Sequence, residues 1–344
     1  MAVPTGAAGG ADMTRGDGSS KDAGDTFELE HRVEEVLLQA PRRYTRLDIH
    51  QRAGISPERA RRLWRSLGFP NVGDEELIFT DSDVAAIGLL EQLRATGLVP
   101  ESVQHAVVRS MAQAMSGLAV WQVELLHQIL RHNNPPPEEW PDRLAAMLPR
   151  LEYVQNHVWR RHLVAAAGRM LSSPPDGTDL RTLVVGSSDL VGFTRLSRRI
   201  TPTQLIDLVE EFHGIAADVT TGHRGRIVKT VGDAVLFVTD GPEDAAQLAL
   251  DLLERTAASE LELPELRTGL AIGPTLTRFG DIYGEVVDVA TRLCTHARPG
   301  RILVDHALAT ALDGDRRFRL RLRRPIAEPG YPKLQPWGLR RAPD

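Results

Sequence analysis

The sequence predicts two domains of different class, an all-α domain over residues 27–171 and an α+β domain over residues 181–341. Three observations carry this prediction. From Glu28 to Leu171 apolar residues recur at helical spacing and no run reads as a strand, which is the pattern of helices packed on helices. Beyond residue 181 short β-branched-rich runs bounded by Gly, Ser or Thr are interspersed with amphipathic helices. They lack the regular period of a doubly wound parallel sheet. Between the two lies a Ser, Pro and Gly-rich linker over residues 172–180.

The chain has 344 residues, enough for two cores of ordinary size. A formal net charge of -5 argues against general affinity for nucleic acid. Cys294 is the single cysteine, so no internal disulfide forms and a reducing compartment is expected. No apolar run approaches the roughly 18 residues of a membrane span, and the N-terminus has no basic segment leading into an apolar one. A cytoplasmic protein without membrane contact is the expectation. Lysine occurs only at Lys21, Lys229 and Lys333 in a chain rich in arginine. A compact ammonium at Lys229 therefore stands out against the planar forks used elsewhere.

In chain order, residues 1–26 are small and polar and are expected to be a disordered tail. A short helix follows from Glu28 to Leu38. Residues 44–69 read as helix, turn at Gly54, and a second helix capped by Ser56 with Pro57 at its first position, the helix-turn-helix pattern. Arg59, Arg61, Arg62 and Arg65 on the second helix would reach phosphates if it bound DNA; otherwise they form a solvated face of a small helical subdomain. Further helices are predicted from Asp81 to Leu93, Pro100 to Arg131 and Trp140 to Leu171. His105, His127, His132, His157 and His162 lie along them, either as a group titrating near neutrality or as ordinary surface histidines.

The second domain opens with a strand around Leu183 that ends at Asp189. Thr201, Pro202 and Gln204 start a helix whose Leu205, Leu208, Phe212 and Ile215 share a face. Arg226 to Lys229 is a strand, Val231 to Asp233 a tight turn, and Ala234 to Val238 a returning strand. Asp189 and Asp233 meet if the two strands lie side by side; taken alone, each aspartate could equally cap a turn. A helix from Pro242 to Ala258, a strand from Leu266, Asp281 in a turn after Gly280, a helix from Val286 to Ala297 and a strand from Arg301 complete the core. Phe318 to Leu339 closes as a hairpin.

Four segments now stand in order: Asp189 to Thr194, Lys229 to Ala234, Gly280 to Gly284, and Val287 to Leu293 followed by Ala297 to Val304. With them, residues 180–340 resemble the class III nucleotide cyclases of the homodimeric bacterial branch. The helical half resembles, more loosely, the regulatory halves of actinobacterial cyclases. The resemblance implies an antiparallel-rich sheet with flanking helices and an adenylate cyclase that converts ATP to 3′,5′-cyclic AMP and diphosphate. It implies Asp189 and Asp233 as ligands of two divalent metal ions, Mg²⁺ or Mn²⁺, to which hard carboxylates are suited. It places Lys229 and Asp281 on adenine, where an ammonium donates to N1 and a carboxylate accepts from the 6-amino group; a surface salt bridge is the plain alternative. Gly192, Phe193 and Thr194 would offer backbone to phosphate, Arg292 would stabilise the transition state, and Arg323 and Arg324 are further candidates for the β- and γ-phosphates.

Two positions depart from the pattern. Asp288 stands where the family has Asn, four residues before Arg292 on one helix, so the two can pair and draw the guanidinium from phosphate. Ser187 replaces an aromatic residue before Asp189. One copy of each residue set implies a head-to-tail homodimer, with metal acids from one subunit and the helix of Asp288 and Arg292 from the other. The rival expectations are a silent homologue that binds nucleotide as a regulator, and a DNA-binding regulator acting through residues 44–69.

Overall fold

A computed structural model describes residues 18–98, 100–171, 180–328 and 331–343. The chain divides into two compact units, Met1–Pro174 and Pro175–Asp344.

Among its described residues the first unit is helical: α1 (Gly18–Leu38), α2 (Arg46–Arg52), α3 (Pro57–Ser66), α4 (Asp81–Ala95), α5 (Glu101–Asn133) and α6 (Trp140–Leu171). Thr45 and Thr80 close reciprocal capping boxes with Asp48 and Asp83, and Ser56 caps α3 ahead of Pro57. Ile49, Ile55, Ala60, Phe79 and Ile87 form its core, against which Trp64 packs. Among the described residues of this unit an isolated β-bridge joins Tyr44 and Phe79. α1 begins at Gly18, earlier than the apolar periodicity from Glu28 indicates. The rest of the expected tail, residues 1–17, and nearly all of the linker lie outside the described residues.

The second unit runs β1 (Leu180–Leu190), α7 (Phe193–Leu196), α8 (Pro202–Gly222), β2 (Arg226–Val231), β3 (Ala234–Thr239), α9 (Pro242–Ala257), β4 (Leu266–Arg278) and β5 (Asp281–Tyr283). It continues through α10 (Glu285–His296), β6 (Arg301–Val304), α11 (His306–Ala311), β7 (Phe318–Leu322), β8 (Ile326–Glu328), β9 (Tyr331–Leu334) and β10 (Trp337–Arg341). Eight strands make one sheet in the order β2-β3-β1-β4-β6-β10-β7, with β5 on β4. Its pairs are antiparallel except β4 with β6. This is the α+β architecture predicted.

Alternation along the strands divides the core in two. Val184, Phe237, Leu270, Ile302 and Leu339 face α8, α9 and α11, whereas Val185, Ala271 and Leu303 face α10. The α10 side is unusually close. A Cβ on Gly269 of β4 would lie 2.2 Å from both the Ala290 carbonyl oxygen and the Cys294 nitrogen, so the helix backbone rests directly on the strand.

Two expectations are corrected. Asp281 is the first residue of β5, paired with Arg278, because the left-handed positions are Phe279 and Gly280. The C-terminal hairpin is formed by β7 and β10, but a second hairpin, β8 with β9, is inserted between them.

Candidate active site

β1 and β3 are neighbours, and Asp189 pairs in register with Ala234. The strand ends therefore bring Asp189 and Asp233 together at the tip of the β2–β3 hairpin. The Leu190 backbone N–H donates to the Asp233 carbonyl oxygen at 3.3 Å. Burial pushes the Asp233 carboxyl up to about 6, the charge and hydrogen bond of Asp189 add to this, and its own backbone N–H and Arg267 offset part of it.

Arg267 of β4 completes this corner. Its Nε and Nη2 donate to Asp189 Oδ2 at 2.8 and 2.5 Å, while Nη1 donates to the Thr295 carbonyl oxygen at 2.9 Å in the last turn of α10. Arg267 lies directly across from Asp189 in the β1–β4 register. Sequence reading missed it, although a lone charge opening an apolar strand calls for a partner. His213 of α8 was missed as well; its Nε2 donates to the Gly232 carbonyl oxygen at 3.0 Å and so braces the turn that carries Asp233.

Lys229 of β2 and Asp281 of β5 meet as predicted. Nζ donates to Oδ1 at 3.0 Å and to Oδ2 at 2.7 Å. Desolvation acts to raise the Asp281 carboxyl, but the hydrogen bonds from Lys229 and the Ile282 N–H, with the Lys229 charge, outweigh it and hold the carboxyl below its ordinary value.

Asp288 and Arg292 pair along α10, with Nε donating to Oδ2 at 3.1 Å. Among the described residues the Asp189–Asp233 pair bonds with neither Lys229 nor Arg292. Gly192, at φ 78°, is the N-cap of α7, a helix of only 4 residues, so any dipole there is small. The Phe193 ring packs on the core, leaving its backbone and the exposed Thr194 at the surface. Ser187 is buried, beside Cys294, whose thiol burial pushes up to about 12. That cysteine is inert at neutral pH.

The donor set suits a hard divalent cation. Asp189 and Asp233 supply oxygen only, and burial, with a smaller contribution from the Asp189 charge, raises the Asp233 carboxyl, a penalty that a bound cation would relieve. No group of three or more His, Cys, Asp or Glu suited to a metal occurs among the described residues. An ion held by two carboxylates would complete its shell with water or phosphate oxygen.

Residues 181–339 match the family described as the adenylate and guanylate cyclase catalytic domain. An adenylate cyclase of Streptomyces coelicolor is 40% identical over 289 residues, covering 82% of this chain and 74% of that protein. One from Glutamicibacter nicotianae is 34% identical over 327 residues, covering 89% and 81%. Among solved structures, the adenylyl cyclase CyaB from P. aeruginosa is 24% identical with a TM-score of 0.42, covering 48% of this chain and 96% of that one. The chain belongs to the class III adenylate and guanylate cyclase family of enzymes. These two relatives, and a third from Streptomyces griseus that is 38% identical over 289 residues, carry the name adenylate cyclase.

Proposed function

We propose that the chain is an adenylate cyclase that converts ATP to 3′,5′-cyclic AMP and diphosphate at the interface of a head-to-tail homodimer. The observation that carries the choice of ATP is the Lys229–Asp281 pair, joined at 2.7 Å. Adenine offers an acceptor at N1 and donors at its 6-amino group, which match an ammonium and a carboxylate. Guanine offers the reverse.

In the reaction the ribose 3′-oxygen bonds to the α-phosphorus, the bond to the β-phosphate oxygen breaks, and the hydroxyl proton is lost. Asp189 and Asp233 would hold two divalent ions, Mg²⁺ or Mn²⁺, which when bound supply acidification of the hydroxyl and neutralisation of phosphate charge. Arg267 fixes the Asp189 carboxylate by one oxygen and leaves the other unengaged by it. His213 holds the hairpin turn from which Asp233 projects. Arg292 stabilises the charge that develops on the transferring phosphate. Backbone at Gly192, Phe193 and Thr194 lies against the phosphates.

Asp189 and Asp233 lie at the ends of β1 and the β2–β3 turn while Arg292 lies on α10, paired with Asp288, and the resemblance to homodimeric cyclases supports assembly of each site from two copies. The helical unit is a regulatory domain in this reading, and the enzyme works in the cytoplasm; no helix among the described residues is long and apolar enough to cross a membrane. A second reading, a weak or silent cyclase, is favoured by the Asp288–Arg292 pair. The DNA-binding reading loses support because Arg59 is engaged by Glu91 at 2.6 Å.

The test is cyclic AMP formation by the full-length protein with ATP and Mn²⁺. Activity is expected in the wild type and absent in Asp233→Ala and in Arg292→Ala. Mixing those two inactive variants restores a fraction of it, since a mixed dimer holds one intact site; no recovery in verified mixed dimers would refute the head-to-tail assignment.

A further inference from the structure

We propose that α5 is a self-association surface, along which a second copy of the chain packs its own α5 in antiparallel orientation about Gly117. The helix has 33 residues, a length of about 50 Å. Val107, Met111, Ala114, Leu118, Trp121 and Leu125 follow one another at intervals of four, three, four, three and four residues. That alternation is the heptad spacing of a coiled-coil seam, which a helix buries only against another helix.

The seam stays largely open among the described residues. Val107 is 42% exposed, Met111 44% and Trp121 55%. None of the six belongs to a core cluster. The main neighbour of α5 is α3, and α6 meets it on the flank, where Gln122 Nε2 donates to Gln155 Oε1 at 3.1 Å. Residues 1–17 hold Met1, Val3 and Met13 as their large apolar side chains, too few to fill the seam.

A second copy fits because the seam is complementary to itself. Two antiparallel helices crossing near Gly117 place Leu118 opposite Ala114, Trp121 opposite Met111 and Leu125 opposite Val107. Small side chains then face larger ones, and the Met111 thioether meets an indole. Gly117 lies beside its own symmetry mate, where the missing side chain lets the two backbones approach. Nothing stands within 4 Å of a Cβ built there, so no other segment of its own chain fills that space. A parallel pair would instead set Trp121 against Trp121 and Ala114 against Ala114, a bulge and a void two turns apart.

The size is sufficient as well. The seam and the adjoining Met115 leave on the order of 500 Å² open per copy, so pairing removes on the order of 1,000 Å², the scale of a specific interface. This surface belongs to the helical unit and contains none of the residues assigned to the cyclase site, so it does not rest on that reading.

The test is disulfide capture in the purified full-length protein. Cys294 is buried, with its thiol pushed up to about 12, so an introduced cysteine reports alone. Gly117→Cys, oxidised with copper phenanthroline, is expected to give about half or more of the chain as covalent dimer. Adding Leu118→Glu should cut that yield about fivefold or more, because it buries an unpaired charge in the seam. Gln113→Cys, on the helix face away from the seam, is expected to stay monomeric. Nitroxide labels on Arg131→Cys read the orientation, and they serve also if Gly117→Cys does not fold. Antiparallel packing sets them about 45 Å apart along the axis, parallel packing within about 20 Å. The proposal is overturned by the absence of covalent dimer from folded Gly117→Cys, by a yield that Leu118→Glu leaves unchanged, by equal capture through Gln113→Cys, or by the short label distance. Failure of the mixed-variant cyclase assay would leave these readouts unaffected, so the two interfaces are judged separately.

Discussion

Asp288 Oδ2 accepts a hydrogen bond from Arg292 Nε at 3.1 Å, one turn along α10. The carboxylate opposes the task assigned to that arginine. An extra negative charge ~5 Å from a phosphate costs roughly 3 kcal/mol at an effective dielectric of ~20. The Asp288 side chain is 52% exposed, so solvent screens much of that. Asp288→Asn is expected to raise kcat about tenfold, read as cyclic AMP formed at saturating ATP; an equal or lower rate would mean the pair does not restrain Arg292.

The Asp233 carboxyl, raised from 3.8 to about 6, gives a stability prediction whose sign is opposite to that of a salt-bridged acid. Between these values the folded state binds more protons than the unfolded one, so metal-free stability falls as pH rises through the window. Asp233→Asn should therefore raise the Tm of the metal-free protein at pH 7 and change it little at pH 4. Mn²⁺ should raise the wild-type Tm and leave the variant's nearly fixed. Thermal melts with and without EDTA decide it.

Lys229 and Asp281 bond to each other in the free protein, so adenine must exchange for that contact. Lys229→Ala removes the ammonium proposed to donate to adenine N1 and takes away the Lys229 partner of Asp281. The expected outcome is a KM for ATP raised about tenfold to a hundredfold with a smaller change in kcat, and weaker preference for ATP over GTP. Parallel kinetics on the two nucleotides would measure it; an unaltered preference assigns the pair to the surface.

Gly269→Ala places a methyl group 2.2 Å from the backbone of α10, which cannot retreat as a flexible side chain could. A loss of about 3 kcal/mol or more in unfolding free energy is expected, measured by urea denaturation. The same change displaces the helix that carries Arg292, so activity should fall below what the folded fraction explains.

The meeting of Asp189 and Asp233 was legible in the sequence because each terminates an apolar run, and a Gly-Asp turn leaves its two strands little choice but to pair. The Lys229–Asp281 contact was not legible from spacing alone. It depends on β5 folding back on β4 through Phe279 and Gly280, and that two-residue turn also explains why Asp281 lies in a strand. Arg267 was invisible for a similar reason: period-two alternation tells which face a residue takes but not which residue lies across from it. The start of α1 at Gly18 runs against the low helix propensity of its Gly and Ser residues.

Arg267 grips the Asp189 carboxylate with two nitrogens and the end of α10 with a third. Strand and helix thus hang from one rigid, planar group with no slack of its own. A shift of the helix end beyond the stretch of a hydrogen bond must carry the carboxylate along or tear the anchor loose, so a single guanidinium sets how far these two parts of one fold can move independently.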